Sequence, residues 1–204
     1  WYGFNAGSTL GFDDPQLVAR IALNTTMAPA VAAFAAMALS WIKYGKPDLS
    51  LSLNGLLGGL VGITAPCAVV GSGSAIMIGL ISGILVVFAM EWMNKLKIDD
   101  VVGAFPVHGV CGIFGTLAVG IFGTAALGSP QDGLLFGGGF GQLGIQSLGI
   151  VACLGFTAVS IWIVFKVIDS VIGLRVSKKT ELKGLDIEEH GMESYSGFQI
   201  FTTE

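Results

Sequence analysis

One histidine sits where ionisable side chains are rare. His108 lies in DDVVGAFPVHGVCGIFGTLAVGIF, residues 99–122, and no Asp, Glu, Lys or Arg follows Asp100 until Asp132. That uncharged run is long enough to cross a bilayer, which takes about 20 residues. Ionisable groups inside a membrane are costly and face protein or a cavity rather than lipid. Two chemistries fit. A neutral imidazole carries both a donor and an acceptor and can pass a proton. It can equally be a satisfied hydrogen-bonding group inside a helix bundle. Gly109, Gly112 and Gly115 follow it and allow close approach of another backbone. Asp99 and Asp100 are expected at the helix start, where negative charge suits the helix dipole.

Other reactive residue types give less. Cys67, Cys111 and Cys153 lie far apart in apolar stretches. They lack metal-ligand spacing and are expected to be buried, inert thiols. No nucleophile–base pair and no phosphate-binding loop stands out, so no enzyme and no cofactor are expected. Paired Asn-Pro-Ala turns of the kind water channels use are missing as well.

The elements that must position His108 are membrane helices. The 204 residues are 53% hydrophobic and 12% charged, with a mean hydropathy of +0.79. Soluble domains carry about 25% charged residues. The 31 glycines are spread through the apolar segments, where they favour close helix packing. The chain opens at Trp1 without Met or a basic stretch, which predicts no signal peptide and reads as the interior of something longer.

Residues 1–12 are too short to span and fit the last turns of a helix. Ile21 to Ile42 makes a full uncharged span containing Pro29. Leu49 to Met90 carries no charge, and as one helix it would run about 63 Å. The hydrocarbon core is about 30 Å thick. Two helices are therefore required, with a break at 66–73. The first, 51–66, is short and glycine-rich; the second, 74–95, ends in interfacial Glu91, Trp92, Lys95 and Lys97. Residues 123–142 read as an irregular surface connection. A last apolar run follows and continues past Lys166 and Asp169 to about Gly173. Five complete spans result. Alternating them puts nine of the ten Lys and Arg on one side, with only Arg20 opposite. The positive-inside rule makes that side, and the C-terminal tail, cytoplasmic.

Four stretches together carry a family resemblance: WYGFNAGS at 1–8, LNGLLGGLVGITA at 53–65, DDVVGAFPVHGVCGIFG at 99–115 and GLRVSKKTELKGLDIEEHG at 173–191. The chain resembles the ammonium transporter family (Amt/Mep/Rh) of bacterial Amt type, C-terminal half only. The resemblance implies an all-α integral membrane fold: the second five-helix repeat of an eleven-span inverted-repeat transporter, then the last long helix. Residues 1–174 would be the transporter part and residues 175–204 a cytoplasmic regulatory tail.

The same resemblance implies roles for particular residues. His108 matches one member of a twin-histidine pair in the pore, whose partner lies in the other half; His190, in the charged tail, cannot replace it. Phe4 matches a ring of the external gate, and Ser8 the hydroxyl at the recruitment site. Asn5, between them, is grouped with that site but is expected to hold backbone geometry. Ala104 and Phe105 precede His108 by one helical turn and are expected to line or back the pore. The implied activity is ammonium transport across the cytoplasmic membrane, with NH3 and H+ conducted past the histidine. A sensor with the same fold and a non-transporting half-transporter fragment are the alternatives. The implied partners are ammonium or ammonia, membrane lipid, two further copies in a homotrimer, and a PII-type protein on the cytoplasmic face, with no nucleic acid and no metal. The tail's composition leaves a solvated, disordered end open as one reading; the resemblance implies an ordered one.

Overall fold

The computed structural model describes residues 1–195. The expected tail extends to 204, so its last nine positions lie outside the described residues. Every regular element among the described residues is helical. The chain divides into two compact units, Trp1–Ala152 and Cys153–Glu204.

The first unit begins with a short helix, α1 (Tyr2–Asn5), and a 3-10 turn, Gly7–Thr9. Helix α2 (Pro15–Tyr44) is longer at both ends than the expected span. Asp14 starts it by accepting from the Leu17 amide at 3.0 Å, and Pro15 occupies the first turn, where its missing amide costs nothing. Gly45, at φ +75°, ends it. Helix α3 (Leu49–Thr64) opens on Asp48, which accepts from the Leu51 amide at 2.7 Å. Helix α4 is Ser72–Lys95. The break between α3 and α4 falls at residues 65–71, close to the expected one. The histidine segment starts with a wide turn, Phe105–Val110, and continues as α5 (Cys111–Phe122). Helix α6 (Gly141–Val171) follows the connection.

Among the described residues, four segments are long and apolar enough to span a membrane: α2, α4, Phe105–Phe122 and α6. The fifth expected span, α3, has 16 residues and falls short by length alone. It is packed instead by small residues. A Cβ on Gly59 would lie 2.7 Å from the Pro29 Cα, and one on Gly79 would lie 2.2 Å from the Ala28 carbonyl oxygen. Helices α2, α3 and α4 therefore touch backbone to backbone, as membrane helices with small contact residues do.

The two ends of this unit are tied differently. At one end, Arg20 donates to the carbonyls of Ala68 at 2.9 Å and Leu127 at 3.2 Å. Fully buried Asn24 donates to Cys67 O at 3.0 Å and Val70 O at 2.9 Å. At the other end, Lys43 pairs with Glu91 at 2.5 Å and lies 4.5 Å from the centre of the Phe88 ring, while the Tyr44 hydroxyl donates to Glu91. Lys43 and Lys95 thus sit at the end opposite Arg20, the sorting expected from the sequence.

Residues 123–142 are an irregular surface connection, as expected, but one held by specific bonds, and the expectation for one cysteine changes. The Thr124 amide donates to Val69 O at 2.9 Å, the Gly133 amide to Gly123 O at 2.7 Å, and Ser129 and Gln142 are buried. The glycines there serve a folded loop that closes over the α3–α4 turn. Cys67 and Cys111 are buried, but Cys153 is exposed, because α6 turns no buried face in the apolar window that could span.

The second unit holds the end of α6, then α7 (Lys178–Lys183) and α8 (Asp186–His190). At 31 residues, α6 is about 46 Å long, more than the roughly 30 Å core. Ser177 caps α7 by accepting from the Thr180 amide at 3.1 Å, and the Thr180 hydroxyl donates to Glu188 at 2.6 Å, joining α7 to α8. Arg175 pairs with Glu181. The described part of the tail is internally bonded.

Candidate functional site

Phe4 and His108 are 104 positions apart in sequence and line one groove. Its volume is about 250 Å³, and Trp1, Thr64, Gly112 and Thr116 also border it. Phe4 sits on α1, three residues after Trp1. The two rings meet edge to face, 6.4 Å apart at 89°. Trp1 donates its indole N–H to the Thr64 hydroxyl at 2.8 Å, and that hydroxyl donates to Leu60 O at 2.7 Å. The aromatic pair is thus fastened to the end of α3.

Asn5 points the other way. It is 4% exposed and donates to the Thr25 hydroxyl at 3.0 Å, which anchors α1 against α2. It does not border the groove. Ser8 is exposed and donates to Phe4 O at 2.6 Å, leaving its oxygen lone pairs to accept from a ligand.

His108 is exposed on the groove side, while its neighbours Pro106 and Val107 are buried on the other. Val107 and Cys111 pack with Val86 in a small apolar cluster. The acidic start of the helix is realised by one residue. Asp100 accepts from the Ala104 amide at 2.8 Å and the Phe105 amide at 2.9 Å. Ala104 and Phe105 do not border the groove. The Phe105 ring lies along its own helix over Gly109, where a Cβ would come within 2.7 Å of it.

An exposed aromatic pair, the Thr116 hydroxyl and an imidazole along one apolar groove suit a small cation; Ser8 does not border that groove. A ring face replaces part of its water, a hydroxyl accepts its N–H, and an imidazole can take a proton. Trp1, Thr64 and Thr116 were not singled out from the sequence. Thr116 had a legible signal, since it stands two helical steps of four from His108. Trp1 and Thr64 meet only through a contact between positions 63 apart.

The sequence profile of the Ammonium Transporter Family matches residues 1–195. The chain belongs to the ammonium transporter family. Ammonium transporter Amt2 of Archaeoglobus fulgidus is 41% identical over 100% of this chain and 44% of its own length. An ammonium transporter of Aquifex aeolicus is 36% identical over 96% of this chain and 45% of its own length. This family member therefore spans a little under half the length of those relatives. Among solved structures, the Sensor Amt Protein superposes with a TM-score of 0.83 at 36% identity, covering 93% of this chain and 46% of that one. The N240A mutant of Candida albicans Mep2 gives 0.80 at 26% identity, covering 88% and 40%. The all-helical architecture with several apolar helices is thus the one ammonium transporters share.

Proposed function

We propose that this chain forms the second half of an ammonium transporter of the cytoplasmic membrane and supplies one wall of its pore. The observation that carries the reading is the groove shared by Phe4 and His108 in a chain of this family. Ammonium is recruited at the outer end, where the Phe4 and Trp1 rings and the Ser8 oxygen replace part of its hydration. The apolar groove beyond disfavours the charge and promotes loss of a proton. His108 then takes or relays that proton while NH3 passes. The second member of the histidine pair comes from the other half of the complete protein. Residues 1–174 are the transport part, organised as a five-helix repeat followed by the last long helix.

The test is the complete protein in liposomes. His108→Ala should abolish ammonium-dependent current or change its ion selectivity while the assembly stays intact. Unchanged current and unchanged selectivity would remove His108 from the mechanism.

The tail, 175–204, is the regulatory element in this reading. It faces the cytoplasm by the distribution of basic residues, and it binds a PII-type protein on a homotrimer. Deleting residues from Lys178 onward should leave the trimer assembled and remove PII binding or PII-dependent inhibition. Pull-down and uptake with a PII protein from the same organism measure this, and equal inhibition of both forms would exclude the tail.

A further inference from the structure

The entry into the histidine helix accounts for each of its first amides. Gly103, at φ +73°, turns the chain against Met90 and Asn54. Asp100 takes the Ala104 and Phe105 amides. Pro106 has no amide to satisfy. The Val107 amide donates to Gly103 O at 3.1 Å. The turn that follows is wider than an α-turn: over Phe105–Val110 the ladder shifts, and the Cys111 amide donates to Pro106 O, five residues back. Such π-turns hold well under 1% of residues and mark functional sites far more often than that share suggests.

The register consequence is specific. In an unbroken α-helix each step of four residues overshoots a full turn by roughly 40°. A column running from His108 through Gly112 to Thr116 would drift by roughly 80°. All three residues nevertheless border the same groove. A turn closed five residues back advances each residue by a smaller angle and takes up overshoot between His108 and Gly112, while the step from Gly112 to Thr116 lies in regular α5 and stays on the same broad face. The downstream register is held elsewhere, since a Cβ on Gly115 would lie 2.6 Å from Gly62 O. The buried side agrees. Val107 is 2% and Cys111 0% exposed, both packed with Val86, while His108 stays open. Thr116 donates to Gly112 O at 3.0 Å, which leaves its oxygen free to accept along the column.

We propose that the π-turn at Phe105–Val110 is a register device, which holds His108 in one groove-facing column with Gly112 and with the Thr116 hydroxyl, the next polar group along the path. The proposal rests on the pore role given to His108 above. Residue count within the turn, rather than side-chain identity, is what sets the register.

The experiment uses the complete protein in liposomes, with current measured against pH and with K+ as competitor. Deleting Val110 closes the turn to an α-turn. It should lower ammonium current on the order of tenfold or more, as misplaced catalytic groups do, and shift the pH profile. Val110→Ala keeps the count and should leave current, pH profile and selectivity near native. A deletion variant with the native pH profile and selectivity overturns the proposal, as does a Val110→Ala variant that fails like the deletion. His108→Ala in parallel separates the two readings: altered transport there with native behaviour of the deletion sinks the register device alone. A density map of the complete protein decides it should the deletion fail to assemble or His108→Ala prove silent. Cys111 bonded to Pro106 O, with His108 and Thr116 on one wall, supports the device, and an unbroken α-helix from 104 to 122 refutes it.

Discussion

At the Arg20 end of the first unit, polar side chains reach backbone carbonyls; at the Lys43 end, charged side chains reach each other. Asn24 and Arg20, one turn apart on α2, together bind four carbonyls from the α3–α4 turn and the 123–142 loop. These carbonyls belong to turns that no regular helix satisfies, and a buried carbonyl without a donor is costly. Lys43, Glu91 and Tyr44 instead form an ion pair with an added hydroxyl, with side chains 28% and 23% exposed for the charged pair. Partly exposed pairs gain little, because water and salt screen them. The first end is therefore where the fold is vulnerable, although the second end holds more formal charge. It is also the end that carries α1, and with it Phe4.

That contrast can be broken by three substitutions in the complete protein, measured by thermal unfolding in mild detergent. Asn24→Ala should have the largest effect. It strips two buried carbonyls of their donor and should cost about 2–4 kcal/mol. A shift no larger than that of an exposed control would mean the α3–α4 turn does not depend on it. Arg20→Ala should cost about 1–3 kcal/mol. Its signature is regional: amides of residues 123–142 should exchange faster, while those of α4 stay protected. Uniform acceleration would mean that Arg20 does not act through Leu127 O. Glu91→Gln should be the mildest, no more than about 1 kcal/mol, and the native stability difference should shrink with added salt. A loss as large as that of Asn24→Ala would reverse the comparison.

The same contrast marks where sequence reading worked. Lys43 and Arg20 were sorted to opposite sides by counting charges along alternating spans, and the unit places them at opposite ends. What Arg20 does there was not legible, because its partners are 48 and 107 positions away. The 123–142 segment was read only as an irregular surface connection for a related reason. Its glycines and serine are the residues of any turn-rich stretch, and only the amide of Thr124 on Val69 O shows that the loop is packed. Cys153 was expected to be buried because its neighbours are apolar, yet in a membrane helix apolarity marks contact with lipid as readily as contact with protein.

By itself the sequence determined the membrane class, the helical segments, the break between α3 and α4, the small-residue faces and the family. Each of these is written in local composition, periodicity or contiguous motif, over distances the chain covers in one or two helices. Tertiary structure alone decided that Asn5 points inward, that Trp1 is fastened to Thr64, that Phe4 and His108 share one groove, and that the histidine helix opens with a π-turn. Those outcomes depend on which backbones come together. The close contacts at Gly59, Gly79 and Gly115 fix the helix positions only once all of α2 to α5 are packed.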